Sequence, residues 1–182
     1  MNRFVALLRG INVGGNNKLP MAALREALTG AGFAAVATYI QSGNVVLSSD
    51  LGADADSDRA VADAVHRCIL DSFGLDVDVV VRDGAELLAL HARGPRWPSL
   101  DRARSLVLFY PDAVDLAVLE SIVAARFLPD SWHGDGREIH LYLPDGIANS
   151  KLVIEIGRKL PGGTARNWNT VARVAAMLAP SQ

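Results

Sequence analysis

The stretch Val36-Ala-Thr-Tyr-Ile-Gln-Ser-Gly-Asn-Val-Val-Leu-Ser48 decides the fold. Two β-prone runs, Val36 to Gln41 and Asn44 to Ser48, flank Ser42-Gly43, a pair of turn formers, and the whole reads as a hairpin. Upstream, Phe4 to Leu8 is an uninterrupted apolar run of the kind that forms a buried strand. Pro20 suits the first turn of a helix, and Leu24, Ala27 and Leu28 then recur at helical spacing until Gly30 or Gly32 stops them. Downstream, Asp56 or Ser57 is placed to cap a helix whose apolar face is Val61, Ala64, Val65, Cys68 and Ile69. Gly74 ends that helix, and Val77 to Val81 reads as a closing strand. The order is β-α-β-β-α-β, the split ferredoxin-like arrangement. It predicts a four-stranded antiparallel sheet with both helices on one face.

The second half partly echoes this order. Residues 83 to 92 read as a connecting helix, and Gly94 to Pro98 as a loop. Ser105 to Tyr110 is a strand, and Leu116, Leu119 and Val123 mark a helix that ends before Pro129. Gly134-Asp135-Gly136 joins a short strand to Glu138 to Leu143. A helix from about Asn149 to Leu160 is broken by Pro161-Gly162-Gly163, and Val171, Val174, Ala175 and Leu178 give a last helix one apolar face. The pattern is β-α-β-β-α-α, with the closing strand missing or very short. The fold class is α+β, with a plait-like subdomain over residues 1–82 and a related, incomplete one over residues 83–182.

Half of the 182 residues are hydrophobic, which suffices for packed cores and argues against disorder. Cys68 is the single cysteine, so no internal disulfide forms, and no Cys/His cluster has metal spacing. A cytoplasmic setting is expected on that basis. No signal peptide is read, because the apolar run at Phe4 is too short. Residues 27 to 49 carry no charge, but their Gly, Ser, Thr, Asn and Gln content argues against a membrane span. Net charge is −2, which does not favour general nucleic-acid affinity. The charge is uneven. Residues 1 to 18 hold Arg3, Arg9 and Lys18 and no acid, and residues 150 to 182 hold five cations against Glu155 alone. Residues 50 to 86 hold ten acids against Arg59, Arg67 and Arg82.

Three segments carry a family resemblance: Leu7 to Met21 (LLRGINVGGNNKLPM), Thr38 to Val46 (TYIQSGNVV), and Ser150-Lys151-Leu152 followed by Thr164 to Val171 (TARNWNTV). Together they resemble the bacterial proteins grouped as domain of unknown function 1697. The resemblance runs over nearly the whole chain. It implies a two-part α+β fold with a ferredoxin-like N-terminal half, and it implies no established activity. It also implies a basic residue where this chain has Asn16.

The basic ends of the chain hold the candidate ligand-binding residues. The loop from Arg9 to Lys18 combines glycines, asparagines and two cations without an acid. Free backbone N–H groups, amides and positive charge are what an anion requires. Its candidates are Arg9, Asn12, Gly14, Gly15, Asn17 and Lys18. The plain alternative is a tight β-α connection whose glycines supply positive φ. A Walker A motif is excluded, because Asn16 and Asn17 follow Gly15, Lys18 comes two places late and Leu19 replaces the hydroxyl. G-x-G-x-x-G is absent, so a Rossmann site has no support. In the hairpin, Gln41 and Asn44 are candidates, with Tyr39 sharing a face with Gln41. The hairpin and the first β-α loop can lie at opposite ends of the sheet, so no common pocket is assigned to them.

Arg166-Asn167-Trp168-Asn169-Thr170 reads as the opening of the last helix. Arg166 is a candidate anion fork, Trp168 a stacking surface, and Asn167 and Asn169 either ligand contacts or caps. The alternative reading of Trp168 is core cover. Lys151 is a candidate phosphate contact beside Ser150, a candidate cap. Ser and Lys at adjacent positions lack the spacing of a Ser-Lys nucleophile. Arg9–Lys18 and Arg166–Thr170 are expected to line one cleft. His66, His91, His133 and His140 have no recognisable nucleophile partner and read as surface or satisfied histidines.

The leading reading is a protein that binds an anionic ligand: a nucleotide, a phosphorylated metabolite or a nucleic-acid end. The alternatives are a metal-independent transferase or hydrolase acting on such a ligand, and a protein-interaction module without one. No cofactor, metal or membrane partner is expected, and no oligomeric state is implied. RNA binding through an aromatic sheet face is disfavoured, because the first strand offers only Phe4 and the third no aromatic.

Overall fold

The computed structural model describes residues 1–14, 17–51 and 57–179. The chain divides into two compact units, one comprising Met1–Ala92 with the chain from Arg173 on, the other Arg93–Ala172. The division expected at residues 82/83 differs from this at both ends. Helix α3 (Gly84–Arg93) follows the first strand set directly and counts almost wholly with the first unit. The end of the last helix returns to it, where the Arg3 guanidinium donates to the carbonyls of Leu178 (2.6 Å) and Met177 (2.9 Å). A cation on the last carbonyls of a helix satisfies acceptors that have no partner within the helix.

In the first unit, β1 (Asn2–Leu8), α1 (Met21–Gly30), β2 (Ala34–Tyr39), β3 (Asn44–Ser49), α2 (Ser57–Phe73) and β4 (Val79–Asp83) follow in sequence. The strands lie in the order β2-β3-β1-β4, and all pairs are antiparallel. Phe4, Ala6, Leu8, Val45, Leu47 and Val81 alternate onto one face. There they form one core with Leu24 and Leu28 of α1 and Val61, Val65 and Ile69 of α2. Both helices therefore cover the same face, as their apolar spacing predicts. Val5, Leu7, Val46 and Val80 on the opposite face are buried as well. The closing strand begins two residues later than its apolar run implies. It ends on the buried Arg82 and on Asp83, whose carboxylate accepts the Ala85 N–H at 2.7 Å. The expected capping role of Asp56 lies outside the described residues.

In the second unit the elements are β5 (Ser105–Phe109), α4 (Leu116–Glu120), β6 (Ser131–Asp135), β7 (Glu138–Tyr142), α5 (Lys151–Lys159), β8 (Thr164–Asn167) and the start of α6 (Trp168–Leu178). The sheet order is β6-β7-β5-β8, again all antiparallel. A short closing strand, β8, is thus present, and it occupies the first two positions that the sequence assigned to the helix opening. α4 is shorter than predicted: Ile122 is buried in place of the exposed Val123, after Ser121 has turned its hydroxyl back onto the Val118 carbonyl (2.6 Å). Leu106, Leu108, Ile139 and Leu141 form the core with Leu119, Leu152 and Ile156. α4 approaches β6 so closely that a Cβ at Gly134 would lie 2.6 Å from Leu116 Cδ2.

Candidate functional site

Antiparallel register places two of the predicted motifs side by side. Leu7 pairs with Asn44, so the end of β1 adjoins the start of β3. The loop after β1 and the β2–β3 hairpin therefore share one end of the sheet, an arrangement that the sequence left open. The Leu8 N–H donates to the Gly43 carbonyl (2.8 Å), and the Arg9 N–H donates to the Asp78 carbonyl (3.0 Å), which brings in the connection before β4.

Asn12 binds these loops together. Its amide nitrogen donates to the carbonyls of Leu19 (3.0 Å) and Gln41 (2.8 Å), and its Oδ1 accepts the Leu19 N–H (2.9 Å). Asn17 donates to the Gly10 carbonyl (3.2 Å). The buried Asn44 donates to the Tyr39 carbonyl (3.1 Å) and to Ser42 Oγ (3.0 Å). These three asparagines thus spend amide donors on the loops themselves. Arg9, Lys18 and Gln41 are exposed at this end, as is Asn17. Arg9 is held by Asp78 at 2.9 Å, a pair open to solvent on both sides. Gly14 is exposed at φ +59°, while Gly15 and Asn16 lie outside the described residues.

This end of the sheet is conformationally costly. Asn12 (φ +53°), Asn17 (φ +48°) and Ile40 (φ +48°) occupy the left-handed region. Asparagine tolerates it; for a β-branched residue it is a true outlier, costing on the order of 1–2 kcal/mol. Gly43 has φ +76°, and a Cβ there would lie 2.6 Å from Leu8 Cβ and 2.7 Å from Ile11 Cδ1. Only glycine meets both constraints. Two exposed apolar residues flank the Asn12–Gln41 hydrogen bond, Val13 at 65% and Ile40 at 50% exposure.

The C-terminal motif belongs to the second unit and is built differently from its sequence reading. Arg166 sits on β8, only 7% exposed, and donates to Thr164 Oγ1 and the Ala165 carbonyl, both at 2.8 Å. Burial lowers its pKa to about 10, which still leaves it charged at neutral pH. The expectation of an exposed fork at a helix start is corrected accordingly. Asn167, also on β8, caps α6 by accepting the Thr170 N–H at 2.8 Å. Trp168 is 2% exposed and serves as core cover, whereas Asn169 is exposed. Lys151 is exposed at the first position of α5. Beside it, Ser150 Oγ accepts the Val153 N–H (3.2 Å) and donates to Asp130 (2.7 Å). Lys151, Arg126, Asp130 and Asp145 line a cavity of about 250 Å³.

Register also reveals a polar row that sequence spacing did not. His133 faces His140, His140 faces Val107, and Val107 faces Arg166, so all four share one face of the second sheet. His140 is 7% exposed, and its pKa is lowered to about 4. Burial is the main cause; Asp135 pulls the other way, and His133, Arg93 and Arg96 add to the depression. His66 is a satisfied histidine, its Nδ1 2.9 Å from the Val77 carbonyl. Among the described residues, no group of three or more His, Cys, Asp or Glu side chains could hold a metal, and no helix is long and apolar enough to cross a membrane.

The sequence profile of a family described as protein of unknown function (DUF1697) matches residues 1–140. A conserved bacterial protein, SP0830 from Streptococcus pneumoniae, is similar in structure with a TM-score of 0.77. It is 26% identical, and the match covers 98% of this chain and 99% of that one. It shares the α+β fold. No curated protein matches.

Proposed function

The chain belongs to the DUF1697 family, whose description assigns no activity, and from that premise we propose that it is a binding protein whose contact surface is the loop end of the first sheet. The strand order β2-β3-β1-β4, with α1 and α2 on one face, supports the reading of this unit as a ferredoxin-like plait. The second sheet's order β6-β7-β5-β8 supports a related plan there. The observation that carries the functional reading is the Asn12–Gln41 hydrogen-bonded junction with the left-handed, β-branched Ile40 strained beside it. Backbone strain away from a core is commonly retained for recognition. Arg9, Lys18 and Gln41 project from this scaffold, and the ligand is an anion: a nucleotide, a phosphorylated metabolite or a nucleic-acid 5′ end. Asn12, Asn17 and Asn44 position the loops, and Lys151 forms a separate contact in the second unit.

Exposed Val13 and Ile40 support a second reading, in which this same end docks a protein partner. The test is a thermal-shift and calorimetric titration with pyrophosphate, ATP and a 5′-phosphorylated oligonucleotide, on the unaltered chain and on Arg9→Glu with Lys18→Glu. Anion binding that weakens with salt and disappears in the double variant is the expected result. Undiminished binding in the double variant would remove this end from the site.

A further inference from the structure

We propose that a cavity of about 540 Å³ in the first unit, distinct from the loop end, binds a small zwitterion with an apolar body, of the amino-acid type. The cavity opens where β3 ends, between the α1–β2 connection and α2. It is lined by Phe33, Ser49 and Leu51 on one side and by Ala64, Arg67, Cys68 and Asp71 of α2 on the other. Its volume falls in the range of ordinary small-molecule sites, roughly 300–1,000 Å³, whose walls are mostly apolar with a few placed polar groups.

The polar groups define the ligand class. Arg67 and Asp71 stand four residues apart on α2, so both overlook the cavity from one helix face. Arg67 Nε donates to the Asp63 carbonyl at 3.3 Å, which restrains the stem, and the residue lines the cavity. Among the described residues, neither the Arg67 Nη groups nor the Asp71 carboxylate has a hydrogen bond or ion pair, and the two side chains are not paired with each other. Asp50, also at the rim, is occupied by the Met1 amino group at 3.0 Å. Among the described lining residues, what remains is one cation and one anion over an apolar floor. An anionic ligand would satisfy Arg67 and meet Asp71 unfavourably, and a cationic ligand would do the reverse. A zwitterion satisfies both, and its apolar body covers Phe33, Ala64 and Leu51.

Cys68 makes this testable, because it is the only thiol in the chain and lies in the cavity wall. Burial pushes its pKa up, a hydrogen bond from Ser72 partly offsets this and the Asp71 carboxylate adds to the rise, so it reacts slowly and a bound molecule slows it further. The experiment measures the rate of Cys68 alkylation by N-ethylmaleimide, by intact-mass spectrometry, with L-leucine, L-phenylalanine, glycine, isopentylamine or 4-methylpentanoate present. An occluding ligand at ten times its dissociation constant slows alkylation by about an order of magnitude. Leucine or phenylalanine should protect, whereas the amine, the acid and glycine should not at the same concentration. Arg67→Gln and Asp71→Asn should each abolish protection, judged as the ratio of rates with and without amino acid in that same variant, because Asp71 itself contributes to the raised pKa of Cys68. Equal protection by the singly charged analogues overturns the zwitterion assignment. Absence of protection by either amino acid up to its solubility limit overturns the site. The analogue comparison uses the unaltered chain, so it decides the matter even if a variant fails to fold.

Discussion

Acidification should destabilise this protein through His140 before most carboxylates titrate. The side chain is 7% exposed, and its folded pKa is held at about 4, against 6.5 in an unfolded chain. The sign follows from proton counting. Above about pH 6.5 neither state binds the proton, and the group contributes no pH dependence. Between 6.5 and 4 the unfolded chain takes up a proton that the folded one refuses, so stability is lost as the pH falls through this window. The full loss, reached near pH 4, is on the order of 3 kcal/mol, at 1.36 kcal/mol for each tenfold change in proton affinity. The assay is urea denaturation at a series of pH values from about 8 to 4 for the unaltered chain and for His140→Gln, whose amide does not titrate in this range. Carboxylates contribute equally to both curves, so their difference isolates the histidine. It should be flat above about pH 7 and should narrow or invert progressively below 6.5, by about 3 kcal/mol in all. Curves that stay parallel within about 0.5 kcal/mol would refute the buried, neutral imidazole.

Two other substitutions test the local arguments. Gly43→Ala should cost about 2 kcal/mol or more in a denaturant melt, because the new Cβ meets Leu8 and Ile11 and the residue must hold φ +76°; a loss below about 0.5 kcal/mol would show that the hairpin relaxes freely. Arg166→Ala should cost about 2 kcal/mol by the same measurement, since it removes a buried guanidinium and its bonds to Thr164 and Ala165; an exposed ligand contact would cost under about 0.5 kcal/mol.

What the sequence determined by itself was local. Phe4 to Leu8 announced a buried strand, Ser42-Gly43 a hairpin, and the Val61–Ile69 spacing a helix with one apolar face, because each is written in neighbouring residues through periods of two or 3.6. The α+β class and the antiparallel first sheet followed from their order. Tertiary structure decided what depends on partners distant in the chain. Thr164 to Asn167 has no apolar alternation, and its strand exists because Val107 and its neighbours offer a free edge to pair with. Arg166 is buried although arginine is usually exposed, since the register turns it onto the polar sheet face. Register likewise set His133 against His140 and Leu7 against Asn44, and so brought the glycine-rich loop to the hairpin. The motif residues were legible as a group, but their division into scaffold and surface was not. Whether an asparagine amide binds a ligand or a loop carbonyl is settled by which acceptor lies within about 3 Å, and composition does not encode that distance.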